Sequence, residues 1–139
     1  MTEINNDSYI KVLEISYNDV KGPAEKILEP SWEQVLQVLG EFNSSKVGRI
    51  QLSNPDLNIS MIIHGQPEVY HIGICEKETD FYYYWNGAEP DGETVDVAWN
   101  AFDSHQICRD SSILLEIVKY FYETGKPWEN ALWENERLD

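Results

Sequence analysis

The order of apolar and polar residues along the chain predicts strands interrupted by two helices. Ile10, Val12, Ile15 and Tyr17 form a β-branched and aromatic run, which predicts a strand over Ser8 to Tyr17 followed by a loop at Gly22-Pro23. Pro30-Ser31 then opens a helix. Ser31 and Gln34 have the capping-box spacing, and Trp32, Val35, Leu36, Leu39 and Phe42 recur at helical intervals up to the stop at Asn43-Ser44-Ser45.

From Gly48 the period changes to two. Leu57, Ile59, Met61 and Ile63 alternate with Asn58, Ser60, Ile62 and His64, between the turn signals Asn54-Pro55-Asp56 and Gly65-Gln66-Pro67. Strands at Arg49 to Ser53, Leu57 to His64 and Val69 to Cys75 are therefore expected as an antiparallel meander, continued by Asp80 to Trp85. The segment Asn86 to Gly92 is the strongest breaker in the chain, and Thr94 to Trp99 reads as a last long strand. Asp110 is placed to cap a second helix with Ile113, Leu114, Ile117, Val118 and Phe121 on one face, ended by Gly125 and Pro127. The tail from Trp128 is expected to be pinned to the body by Trp128 and Trp133. This order predicts an α+β fold, a mostly antiparallel sheet of five to seven strands with two main helices on one face, in a single domain over residues 1–139.

Charge narrows the function classes. The 139 residues carry 10 Lys plus Arg against 25 Asp plus Glu, a formal net charge of -15. Such a balance argues against direct binding of nucleic acid, which depends on basic side chains displacing counterions, and against an anionic membrane face. With 42% hydrophobic and 12% aromatic residues, the chain is nonetheless not a disordered acidic tail. No apolar run approaches a membrane span, and no signal-like stretch follows the first residues, so a cytoplasmic location is expected.

Catalytic signatures are weak. The carboxylates fall at strand ends and loops where solvation is the default, and no pair sits in an apolar stretch that would raise its pKa. His64, His71 and His105 follow no metal-ligand spacing, and His64 with His71 is expected on the outer face of neighbouring strands. Cys75 and Cys108 read as buried reduced thiols, and no nucleophile elbow or phosphate loop is present. The expectation is a protein that is not an enzyme, with no cofactor or metal.

One constellation stands out. Glu76, Glu78, Asp80, Glu89, Asp91, Glu93 and Asp96 surround the run Phe81-Tyr82-Tyr83-Tyr84-Trp85, with Lys77 as the lone basic residue. On a strand Phe81, Tyr83 and Trp85 share one face and Tyr82 and Tyr84 the other, so aromatics are expected to project beside carboxylates, a composition suited to a protein interface. The contact residues expected on this basis are Asp80, Tyr82, Tyr84, Glu89, Asp91, Glu93 and Asp96, with the open alternative that Tyr82 and Tyr84 instead cover a second layer under the C-terminal tail with Trp128 and Trp133.

The C-terminal third adds a resemblance. The capped helix followed by Tyr120-Phe121-Tyr122-Glu123-Thr124-Gly125-Lys126-Pro127, then Trp128 to Asn130 and Leu132-Trp133-Glu134, resembles the end of an immunity-protein family of bacterial polymorphic toxin systems. The Pro30-Ser31 helix start, the meander and the Tyr-rich strand agree in order. Members of that family often accompany toxins that deaminate nucleic-acid bases. The resemblance implies an α+β immunity protein that binds its cognate toxin domain one to one inside the producing cell and blocks it, without catalytic residues of its own. A toxin acting on DNA or RNA must present a basic cleft, for which an acidic protein with exposed aromatics is a phosphate-backbone competitor. An acidic DNA-mimic or adaptor without a toxin, and a small carboxylate-based hydrolase, are the alternatives that remain open.

Overall fold

In the computed structural model, residues 9–18 and 24–137 are described. The expected loop at Gly22-Pro23 and the start of the first strand at Ser8 lie outside them. The chain runs β1 (Val12–Tyr17), β2 (Glu25–Leu28), α1 (Trp32–Gly40), β3 (Val47–Asn54), β4 (Ile59–Gln66), β5 (Val69–Glu76), β6 (Asp80–Trp85), β7 (Thr94–Val97), β8 (Asn100–Asp103), β9 (Ile107–Cys108), α2 (Ser111–Thr124) and β10 (Leu132–Arg137). The main sheet has the order β10-β6-β5-β4-β3-β1-β2, with β9 added beside β5, and its pairings are antiparallel. Its eight strands exceed the five to seven expected, because β2, β9 and β10 carry little apolar alternation and join through backbone pairing.

Period-two alternation places two rows of apolar side chains on one face. Leu13, Leu52, Met61 and Ile74 stand across from one another, as do Ile15, Ile50, Ile63 and Ile72. All eight are essentially inaccessible, each burial contributing about 1.5–3 kcal/mol. Both helices pack on these rows, α1 through Val35, Val38 and Leu39 and α2 through Leu114, Ile117, Val118 and Phe121, in one cluster. The helices are joined to each other by the Trp32 and Tyr122 rings, 5.4 Å apart, and by the Tyr122 hydroxyl donating to the Pro30 carbonyl at 2.8 Å.

Local signals hold the helix ends. Ser31 and Gln34 form the reciprocal capping box, and the Asp110 carboxylate accepts from the Ser112 and Ile113 amides. Gly125 ends α2 in the left-handed region at φ 74°. The tail is a strand: β10 pairs with β6 from Leu132↔Trp85 to Arg137↔Asp80, and Trp133 meets Tyr84 edge to face while its Nε1 donates to the Trp128 carbonyl.

The strand expected from Thr94 to Trp99 ends at Val97 as β7, and a second strand, β8, follows from Asn100. The chain reverses at Ala98-Trp99, and β7 and β8 form a separate two-stranded ribbon with Val97 opposite Asn100. No described helix is long and apolar enough to cross a membrane.

Candidate partner-binding face

The helix-free face of the sheet carries the unusual chemistry. His64 and His71 are register partners on β4 and β5, on the outer face as the alternation required. The ribbon docks there through Phe102, whose ring stacks on His71 at 3.9 Å and 12° and lies 5.0 Å from His64. Burial, together with the nearby Arg49 charge and the competing protonation of His71, pushes the His64 imidazole down to about 4, and burial lowers His71 as well. Both rings are therefore neutral at pH 7, so covering them with the Phe102 ring buries no charge. Beside them the parallel Phe81 and Tyr83 rings line an apolar slot of about 190 Å³, floored by Gly73, where a Cβ would stand 3.3 Å from the Tyr83 ring.

A polar chain fastens the ribbon's far end. His71 Nε2 donates to Gln106 Oε1 at 2.8 Å, Gln106 Nε2 donates to Glu134 Oε1 at 2.8 Å, and His105 Nε2 lies 2.9 Å from the same oxygen. The Gln106 and His105 bonds hold Glu134 below the ordinary carboxylate range. Cys108 is buried and Cys75 half-buried, both free, and burial pushes both thiols up, which works against thiolate nucleophilicity. Among the described residues, no group of three or more His, Cys, Asp or Glu is placed to hold a metal.

The expected contact residues separate into three groups. Tyr84 is 9% exposed and packs in the core, so the aromatics turned away from the helices are Phe81, Tyr83 and Trp85, not Tyr82 and Tyr84. This corrects the expected assignment of Tyr82 and Tyr84 as outward contacts: β6 takes its parity from β5, where Ile74, opposite Tyr82, points to the helices. Tyr82 is partly buried against the same core, with its hydroxyl 3.4 Å from Glu76. Asp80 is engaged by Arg137 through two hydrogen bonds of 2.8 and 3.1 Å, which hold its carboxyl low.

Glu89, Asp91, Glu93 and Asp96 are all exposed, the first three in the loop between β6 and β7 and the last on β7. Asp91 Oδ1 accepts from the Glu93 amide at 2.9 Å and the Ser104 hydroxyl at 2.8 Å, and the Ser104 amide donates to the Glu93 carbonyl, so the acidic loop is laced to the ribbon. The loop is also tied to β6, where Trp85 Nε1 donates to the Ala88 carbonyl. From Glu78 to Cys108 the chain carries seven carboxylates and no Lys or Arg.

Trp99, absent from the expected contacts, is the most prominent apolar side chain of this face. At the ribbon tip it is 90% exposed, against 71% for the next large apolar residue, Leu28. Ala98 and Trp99 both have positive φ, 49° and 73°, the geometry of a two-residue hairpin turn that normally selects Asn-Gly. Each non-glycine residue held there costs about 1–2 kcal/mol. A signal was present in the sequence: Val95 and Val97 lie at odd positions and Phe102 at an even one, and this change of phase marks a reversal between them.

Comparison of the chain with protein-family models, with curated proteins and with solved structures finds no match.

Proposed function

We propose that this protein is the immunity partner of a bacterial toxin domain, which it binds one to one in the cytoplasm of the producing cell and holds inactive. The observation that carries the reading is the Lys- and Arg-free stretch from Glu78 to Cys108, in which Glu89, Asp91, Glu93 and Asp96 are all exposed. The partner that these carboxylates fit is a basic protein surface. An enzyme directed at DNA or RNA, a deaminase or a nuclease, presents such a surface in the cleft that receives phosphates.

In this reading the carboxylates occupy the positions of substrate phosphates and accelerate encounter through long-range attraction, while the aromatic face supplies desolvated contact after docking. The internal bonds at Asp91 fix the loop before association, so little ordering cost falls on binding. The similarity of the α2 end and the tail to the immunity-protein family supports the same conclusion. Neither a catalytic residue nor a cofactor is assigned.

The test is co-expression with the C-terminal domain encoded by the gene immediately upstream. Growth arrested by that domain should be restored by this protein. Unrelieved arrest in the presence of abundant folded protein would sink the proposal.

A further inference from the structure

We infer that Trp99 is the anchor of the interface, an indole presented on a preformed arm to a cationic cleft of the partner protein. The inference rests on the immunity reading and adds to it the residue that makes the contact and the chemistry that receives it.

Folding gives no evident reason for an indole at this position. The side chain is 90% exposed, so it adds little to the core, and its backbone is held at φ 73°, where a bulky residue is disfavoured and glycine is not. The arm beneath it is nevertheless fixed. Gln66 grips the β7 side of the turn, its Nε2 donating to the Asp96 carbonyl at 3.2 Å and its Oε1 accepting from the Ala98 amide at 3.2 Å. Asn100 Nδ2 donates to the Ala98 carbonyl at 3.0 Å, Val97 is fully buried, and Phe102 rests on His71. An exposed ring on a rigid support loses little conformational freedom on binding, which is the condition under which Trp becomes a dominant contact.

The surroundings select the partner. Asp96 and Asp103 are exposed on the ribbon, and the acidic loop is bonded to its base. Arg49 lines the same shallow hollow as Trp99, and its guanidinium donates to Gln51 at 3.0 Å. An indole among carboxylates suits a cleft where an apolar wall adjoins Arg or Lys, since the ring face attracts a cation while the carboxylates pair with its neighbours. A second copy of this chain, itself acidic, is a poor occupant, and so is an anionic lipid surface.

The decisive variant is Trp99→Gly, because the two roles predict opposite outcomes for it. Glycine relieves the turn, so the melting temperature should rise by about 2–5 °C, while affinity for the purified upstream-encoded domain should fall at least about 100-fold, or about 2.8 kcal/mol. Ala98→Gly should relieve the same turn and leave affinity unchanged. Should Trp99→Gly bind within about threefold of the wild type, the anchor is refuted and the immunity reading stands. If the wild-type protein neither binds nor protects against that domain, the immunity reading fails and takes the anchor with it. A concentration-dependent dimer in sedimentation, abolished by Trp99→Gly, would also overturn the inference by naming a second copy as the occupant.

Discussion

Replacing Phe102 by Ala should weaken the docking of the β7-β8 ribbon, which Val97 and Gln66 also hold, while leaving the main sheet intact. The ring is partly buried and meets both His71 and His64. If about 60–80 Å² of it is withdrawn from water, the transfer gain is about 2 kcal/mol, and the stacked contact adds about 0.5–1 kcal/mol. The loss of about 2–3 kcal/mol falls on the docking equilibrium, because the ribbon pairs only with itself and reaches the sheet through side chains. Amide hydrogen exchange resolves this. Protection in residues 94–103 should fall by about 30- to 150-fold, with β3, β4 and β5 unchanged within a few-fold. In the same variant the His64 and His71 pKa values, read by NMR, should move up towards 6.5, since burial is the largest cause of their depression. Uniform loss of protection across the sheet, or unchanged ribbon protection with unchanged imidazoles, would show that Phe102 does not hold the ribbon to the sheet.

Two further outcomes follow from local geometry. Gly125→Ala places a Cβ at φ 74° and 2.9 Å from Ile59 Cδ1, and should cost about 1–2 kcal/mol, lowering the melting temperature by roughly 3–6 °C. Stability should also fall on acidification through His64. The unfolded imidazole takes up a proton near pH 6.5 and the folded one only near 4, so the unfolded state binds more protons across that window and stability is lost as pH drops through it. The full difference corresponds to about 3 kcal/mol, reduced to about 1–2 kcal/mol because solvent reaches part of the ring. Urea midpoints of wild type and His64→Gln between pH 4 and 7 should converge at low pH by that amount, relative to their separation at pH 7.

The helices and the central meander were legible in the sequence because their signals are local and redundant. Ser31, Gln34, Asp110 and Gly125 mark helix ends through backbone chemistry that needs no partner, and the alternation of β3 to β5 names its own buried face. The strands Glu25–Leu28 and Leu132–Arg137 were not legible as such: they are sheet edges rich in charge, held by pairing to a neighbour that only the fold supplies. The same dependence decided the aromatics. Phe81 to Trp85 is apolar on both faces, so its parity came from β5 and put Tyr84 inside. The ribbon was obscured because Ala98-Trp99 lacks the residues its turn prefers, and that departure is also what distinguishes Trp99.

On the proposed function, the exposed carboxylates of the loop after β6 engage a basic partner. The most direct test is the affinity for the upstream-encoded domain as a function of salt, for the wild type and for the triple reversal Glu89→Lys, Asp91→Lys and Glu93→Lys. Wild-type binding should weaken steeply between about 50 and 300 mM salt, and the reversal should lose at least about 100-fold at low salt and flatten the dependence. Equal affinity and an equal salt slope in the two proteins would contradict the claim and place the contact surface elsewhere.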